Sequence, residues 1–155
     1  MAWTSTTKAK DRTLAESIEV FSEEVVDDSD KTFAVATDGS AAYYEVLGIR
    51  LEVVADATVG TRTWSVQVLD SAADVVVDWP MSTGADVTAS ASLNIELSPG
   101  SINLAAIGGT AREFLPRGLM LRQGDSLRVF DRAAIAAAGD DMIVHLRLRG
   151  VSPST

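Results

Sequence analysis

Hydrophobic and polar residues alternate with a period of two along much of the chain, which is the pattern of a half-buried β-strand. The clearest segment is residues 47–54, in which four apolar residues face one way: Leu47, Ile49, Leu51 and Val53. Their neighbours face the other way: Gly48, Arg50, Glu52 and Val54. Residues 142–149 repeat the pattern, with Met142, Val144, Leu146 and Leu148 facing away from Ile143, His145, Arg147 and Arg149. Each segment predicts a strand with one face on a core and one polar face.

Shorter alternations bounded by turn residues predict the other strands. They cover residues 17–20, 31–37, 64–68, 74–79, 87–97, 119–121 and 127–130. The tight connection Asp70–Ala73 predicts a β-hairpin between two of them. Residues 101–118 show little periodicity and predict a long Gly-rich loop, of a kind that is usually functional or held by a neighbouring molecule. Asp131 before an Ala-rich run predicts one short helical turn near residues 131–138.

About eight or nine short strands at roughly regular spacing predict an all-β fold, a β-sandwich or jelly roll. The 155 residues suffice for one domain. We expect an extended N-terminal arm over 1–16, a single β-sandwich domain over 17–150 and a C-terminal tail over 151–155. The arm is locally basic, because it carries Lys8, Lys10 and Arg12.

The charge and composition exclude several classes of function. The net charge is −9, from 22 acidic and 13 basic residues, which argues against a nucleic-acid-binding protein. The chain contains no run of 18 apolar residues, so no membrane span is predicted. The N-terminus lacks the layout of a signal peptide, so we expect synthesis in a cytoplasm. The chain has no cysteine, which excludes disulfides and thiol chemistry.

The titratable residues predict no catalytic site. His145 is the only histidine, and its strand position places it on a polar face, as expected for a surface or interface residue rather than the base of a Ser-His-Asp triad. A pair of carboxylates for glycoside hydrolysis cannot be identified from the sequence, because any two of the 22 acidic residues could form it. We therefore expect a protein that is not an enzyme and that has no catalytic residue.

No metal or cofactor is predicted either. One histidine without cysteine cannot supply the usual zinc ligands. The acidic run Asp27–Asp30 lacks the spacing of an EF-hand and predicts a solvated turn. The pair Asp140 and Asp141 is interpreted as a polar cap after the Ala-rich turn.

Several residues are candidates for contact with other protein. Trp64 belongs to the inward set of its strand and is expected in the core, whereas Trp79 is expected at the surface as an interface anchor. Exposed aromatic residues of a β-sandwich also suit sugar stacking, so a carbohydrate-binding module stays open. The full set of interface candidates is Lys8, Lys10, Arg12, Trp79, Ile107, Phe114, Arg147 and Arg149.

Three stretches resemble small proteins of unassigned function that are encoded by tailed bacteriophages. They are YEVLGIRLEVV (44–54) with ATVGTRTWSVQVLD (57–70), the turn and strand over 71–79, and GDSLRVFDRAAIAAAGDDMIV (124–144). The likeness includes a "TVGxR" loop and a late "RVxDxAAIxxAxDDM" element, and it covers about two-thirds of the chain. It names no active site, so no functional residue is carried over.

The resemblance implies a structural protein of the virion. We expect a capsid decoration (cement) protein on the capsid exterior, made in the host cytoplasm and stapling neighbouring capsid subunits. Its expected partners are the major capsid protein or another virion protein, and further copies of itself in a dimer or trimer, with no nucleic acid, membrane or cofactor. The alternatives are a head–tail, tail-associated or fibre component, or a carbohydrate-binding β-sandwich module.

Overall fold

The computed structural model describes residues 4–6, 17–21, 31–35, 43–82, 85–101, 104–133 and 140–151; in 4–6, 17–21, 104–107 and 151 it is the backbone that is described. Within these ranges there are fourteen strands and no α-helix, which confirms the all-β prediction. The strands are β1 Thr4–Thr6, β2 Ser17–Phe21, β3 Lys31–Ala34, β4 Tyr43–Val54, β5 Thr61–Arg62, β6 Trp64–Leu69, β7 Val75–Pro80, β8 Val87–Thr88, β9 Ser92–Pro99, β10 Leu104–Ile107, β11 Thr110–Leu115, β12 Met120–Arg122, β13 Ser126–Asp131 and β14 Asp141–Val151.

The strands form a two-sheet sandwich. The larger sheet, sheet A, has the order β1-β2-β14-β4-β9-β11-β10, with β12 paired to the start of β4. Sheet B has the order β3-β13-β6-β7, and β5 pairs with β8 in a separate ribbon. The inward residues of both sheets, among them Leu51 and Ile95 of sheet A and Val66 of sheet B, form one buried cluster. The sandwich architecture therefore follows the predicted layering of two apolar faces.

The centre of sheet A is the antiparallel pair of β4, with 12 residues, and β14, with 11. Along β14 the predicted phase is confirmed, because the inward set is buried at 0–2 % exposure: Met142, Val144, Leu146 and Leu148. On the opposite face Arg147 and Arg149 are exposed. One face of β14 therefore lies on the core and the other faces solvent, as half-buried strands do.

The predicted phase of β4 is wrong at Leu47. Val46 is fully buried in its place, and Leu47 is only half-buried. The register explains the change, since Arg147 lies opposite Gly48 whereas Leu148 lies opposite Val46, which leaves Leu47 as an extra residue. Such a β-bulge shifts the inward set by one residue, and strict alternation cannot show it.

The prediction of a loop over residues 101–118 is also wrong. This segment contains β10 and β11, and β11 pairs in parallel with β9. A turn at Gly108 and Gly109, with φ of 61° and 81°, joins the two strands. The pattern was hidden because the inward positions of β11 include the charged Glu113 beside the small Ala111.

The strand predicted over residues 87–97 is interrupted. Ser90 has a φ of 58° and lies in a turn between β8 and β9, so the alternation spans two strands in different sheets. The hairpin of β6 and β7 is confirmed, with Val66 opposite Trp79. Trp64 is 1 % exposed and lies in the core as predicted.

Three predicted segments are described only in part or not at all. Thr4–Thr6 of the arm forms β1, which pairs with β2 at the edge of sheet A, whereas Lys8, Lys10 and Arg12 lie outside the described residues. Asp131 ends β13 and its carboxylate accepts a hydrogen bond from the Ala133 amide, but 134–139 of the predicted helical turn are not described. The acidic run at 27–30 also lies outside.

The turn between β6 and β7 generates a stability prediction. Ala73 has a φ of 66°, a left-handed conformation that costs an L-residue about 1–2 kcal/mol and glycine almost nothing. Because glycine also loses more chain entropy on folding, we expect Ala73→Gly to raise the free energy of unfolding by about 0.5–1 kcal/mol in urea titrations. Ala72→Gly in the same turn is the control and should lower it. Equal effects of the two substitutions would contradict the argument.

Candidate functional site

Strand β7 is the last strand of sheet B, and among the described strands it pairs only with β6. Two of its side chains are large, apolar and exposed, Val75 at 52 % and Val76 at 58 %. The strand carries no Lys or Arg, the residues that commonly protect a free edge. We call this strand, with its unpaired side, the β7 edge.

The hydrogen-bond phase shows which backbone groups of the β7 edge point away from β6. The Met81 amide donates to the Trp64 carbonyl at 3.0 Å. Since bonding alternates along an antiparallel pair, Trp79 directs its amide toward β6, and Asp78 directs its amide and carbonyl away. Pro80, which has no amide, falls on the outward phase, where proline costs the sheet no hydrogen bond.

Two of the candidate interface residues meet beside this edge. The rings of Trp79 and Phe114 lie 5.6 Å apart between centroids at an interplanar angle of 49°, and both side chains are half-buried. The expectation of Trp79 at the surface is therefore corrected, because its side chain packs against the core. The contact ties β7 of sheet B to β11 of sheet A. Ile107 belongs to the neighbouring strand β10, where the backbone is described.

The other described candidates lie on the outer face of sheet A. Arg149 forms an ion pair with Glu45 on the neighbouring strand. Arg147 is exposed opposite Gly48. The structure therefore separates the interface candidates into two groups, an aromatic pair beside the β7 edge and two arginines on β14.

A buried ionic cluster joins the loop after β4 to the start of β14. Arg62 is fully buried, and its Nε and one terminal nitrogen donate to the two carboxylate oxygens of Asp140 at 2.8 and 2.9 Å. The same nitrogen donates to Asp56 at 2.8 Å, and the other donates to the carbonyls of Thr58 and Gly60 at 2.9 and 3.1 Å. All five guanidinium donors are thus bonded. We call Arg62, Asp140 and Asp56 the arginine cluster.

The electrostatics of the arginine cluster favour its charged state. The hydrogen bond from the Thr58 amide, with those from the Thr58 hydroxyl and from Arg62, lowers the pKa of Asp56. The hydrogen bond to Asp140 raises the pKa of Arg62. A guanidinium held this firmly cannot exchange a proton, so the cluster is suited to fixing chain segments rather than to acid–base chemistry.

The interpretation of Asp140 as a polar cap is corrected by this cluster. Asp140 is 1 % exposed, and its carboxylate also accepts a hydrogen bond from the Asp56 amide at 2.7 Å. Its partner Arg62 is 78 residues away in sequence, so no local pattern connects them. The weak signal was an arginine inside an otherwise uncharged stretch that leads into the core strand β6.

A second buried carboxylate, Glu113, lies within the sandwich at 1 % exposure. It accepts a hydrogen bond from the Ser82 hydroxyl at 2.5 Å and one from the Ser82 amide at 3.3 Å. The backbone carbonyl of Glu113 accepts from the Ser101 hydroxyl at 2.7 Å. These bonds attach β11 to two loops, so Glu113 helps to hold the fold together.

Among the described residues no three His, Cys, Asp or Glu side chains lie together as a metal site. No helix within the described ranges is long and apolar enough to cross a membrane. Comparison with known proteins gave no relative: no family model, curated protein or solved structure matches the chain.

The arginine cluster predicts a large loss of stability in Asp140→Asn. Removing one partner of a buried ion pair typically costs about 3–5 kcal/mol. Asp140→Asn would leave the buried Arg62 with only the partly exposed Asp56 as its counter-charge. We expect a loss of that size in the free energy of unfolding measured with urea. The control is Glu52→Gln in the exposed ion pair with Arg50, where the Arg50 side chain is 51 % exposed and that of Glu52 is 36 % exposed. Here the free energy of unfolding should change by about 0–1 kcal/mol. A loss in Asp140→Asn no larger than this control would contradict the role of the cluster.

Asp56 predicts a pH dependence with a definite sign. Its pKa in the fold lies below the ordinary 3.8, so its ionised form contributes stability that is present above pH 3.8 and is lost as the pH falls through the folded pKa. The difference in free energy of unfolding between wild type and Asp56→Asn should therefore narrow as the pH is lowered through 3.8 and below. Val59→Ala, an uncharged change in the same loop, should show a constant difference. A constant difference for Asp56→Asn would contradict the prediction.

Proposed function

We propose that this protein is a non-enzymatic structural protein of a tailed-phage virion, and specifically a capsid decoration protein that staples neighbouring capsid subunits from outside. The observation that carries the proposal is the β7 edge. It combines backbone groups at Asp78 that no described strand pairs with and exposed apolar side chains at Val75 and Val76. The phage-like stretches in the sequence support the same assignment.

A free strand edge favours assembly because a partner strand can continue the sheet through main-chain hydrogen bonds. Monomeric proteins usually protect such an edge with lysine, proline or a covering segment. Here Pro80 blocks only the end of β7, and Asp78, which pairs with Arg132, is its one charged residue. The start of the strand carries the exposed Val75 and Val76. A strand of a capsid subunit, or of a second copy of this chain, would complete the sheet and cover the valines.

The Trp79–Phe114 pair gives this edge a rigid apolar support. Half-buried aromatic residues held by packing lose little side-chain entropy on binding, and Trp is enriched among residues that dominate interfaces. Sheet A fixes the position of Phe114 through the parallel pairing of β11 with β9. The major capsid protein or another virion protein is the proposed partner, together with dimer or trimer contacts between copies.

The direct test is mass spectrometry of purified particles with quantified copy number. A copy number comparable to that of the capsid subunits is expected for a decoration protein. A few copies per particle would favour the alternative of a head–tail, tail or fibre component. Absence from particles would overturn the virion assignment.

The β7 edge predicts a separation of binding from folding. Val76→Lys places a charge on the free edge, and we expect attachment to undecorated particles to weaken by about tenfold or more, equal to about 1.4 kcal/mol. The free energy of unfolding of the isolated protein should change by about 0.5 kcal/mol or less, because the Val76 side chain is largely exposed. The measurement is a particle co-sedimentation titration.

The matched control is Val59→Lys, which adds the same charge at a loop position that is 92 % exposed and distant in sequence from β7. It should attach as wild type does. Equal attachment of Val76→Lys and wild type would show that the β7 edge is not the docking strand.

A further inference from the structure

A hollow of about 350 Å³ opens on the outer face of sheet A, where β4, β9 and β14 lie side by side. Gly48 forms part of its floor, and charged side chains of the three strands line its walls, Arg50, Glu96 and Arg147. His145 completes the wall on β14. The size falls in the range of ligand sites, about 300–1,000 Å³.

The hollow has a local structural cause. Gly48 contributes no side chain, and the bulge at Leu47 breaks the row of outward side chains on β4. A Cβ at Gly48 would lie 3.3 Å from the Leu97 carbonyl oxygen, so the glycine also allows β4 and β9 to approach closely at this point. Bulges that redirect side chains recur at binding sites.

Both acidic and basic side chains lie at the hollow, and several of them are in contact with one another. Arg50 pairs with Glu52 at 2.9 Å, and the His145 Nε2 lies 3.4 Å from the same carboxylate. Glu96, on the β9 side, is engaged by Arg112 at 3.7 Å. The acidic groups near the hollow are therefore already in contact with basic ones.

Arg147 differs from these residues. No ion pair joins its guanidinium to another side chain in the described part of the chain, and the backbone register places Glu19 of β2 opposite it on the other side. On a chain of net charge −9, the lining of this hollow carries two arginines, Arg50 and Arg147, and one carboxylate, Glu96.

We infer that this hollow binds a carboxylate side chain presented by an acidic segment of a protein partner, with Arg147 as the principal contact. Arginine pairs with carboxylates through two parallel hydrogen bonds, which suits an exposed guanidinium at the rim of a hollow. An exposed arginine on a chain of net charge −9 favours a carboxylate as the occupant. The inference is independent of the β7 edge, which belongs to the other sheet.

The test is an NMR titration of the ¹⁵N-labelled full chain with the peptide acetyl-Gly-Glu-Gly-amide. We expect shifts confined to amides around the hollow, at Gly48, Ser98 and Arg147, with weak saturable binding. The peptide acetyl-Gly-Gln-Gly-amide, which has the same shape without the charge, should bind at least about tenfold more weakly. Equal shifts with both peptides would overturn the inference.

Variants and a second ligand sharpen the result. Arg147→Ala should weaken binding of the glutamate peptide by about tenfold, whereas Arg122→Ala, which removes an exposed arginine on β12, should leave it unchanged. Equal binding in Arg147→Ala and wild type would overturn the role of Arg147. Glutarate should bind more weakly than the peptide; equal affinity would assign the hollow to a free small carboxylate instead of a protein segment.

Discussion

The antiparallel pairing of β4 with β14 is the interaction to which most other parts of the fold attach. β4 also binds β9 and β12, and β14 also binds β2, which in turn binds β1. The buried faces of the pair form the floor of the core opposite sheet B. The arginine cluster holds the start of β14 in place, because Asp140 immediately precedes that strand and is bound by Arg62.

Strict alternation predicted the fold well wherever a strand has one buried and one solvated face. β14 satisfies that condition along its length, and its inward and outward residues could be assigned from sequence. The method failed where a bulge inserted Leu47, because a single extra residue changes the phase without changing the composition. It also failed in β11, where Glu113 occupies an inward position and is satisfied by Ser82, a partner that no local pattern identifies.

The candidate sites were predictable in part. Exposed arginines on β14 follow from periodicity alone. Trp79 was expected at the surface, but it packs against the core, and its contact with Phe114 depends on how two sheets meet. The hollow depends on the bulge and on three strands that are distant in sequence. Residue types and local spacing therefore indicate which side chains are available for binding, and the register between strands decides which of them act together.

The position of β14 at the centre of sheet A also constrains the order of folding. Its partners β4 and β2 both precede β14 by many residues, so the two pairings of β14 close the longest loops in sheet A. Such non-local topologies fold slowly, in milliseconds to seconds, and leave strands unpaired in the meantime. Until β14 leaves the ribosome, one side of β4 remains open to pairing with other chains.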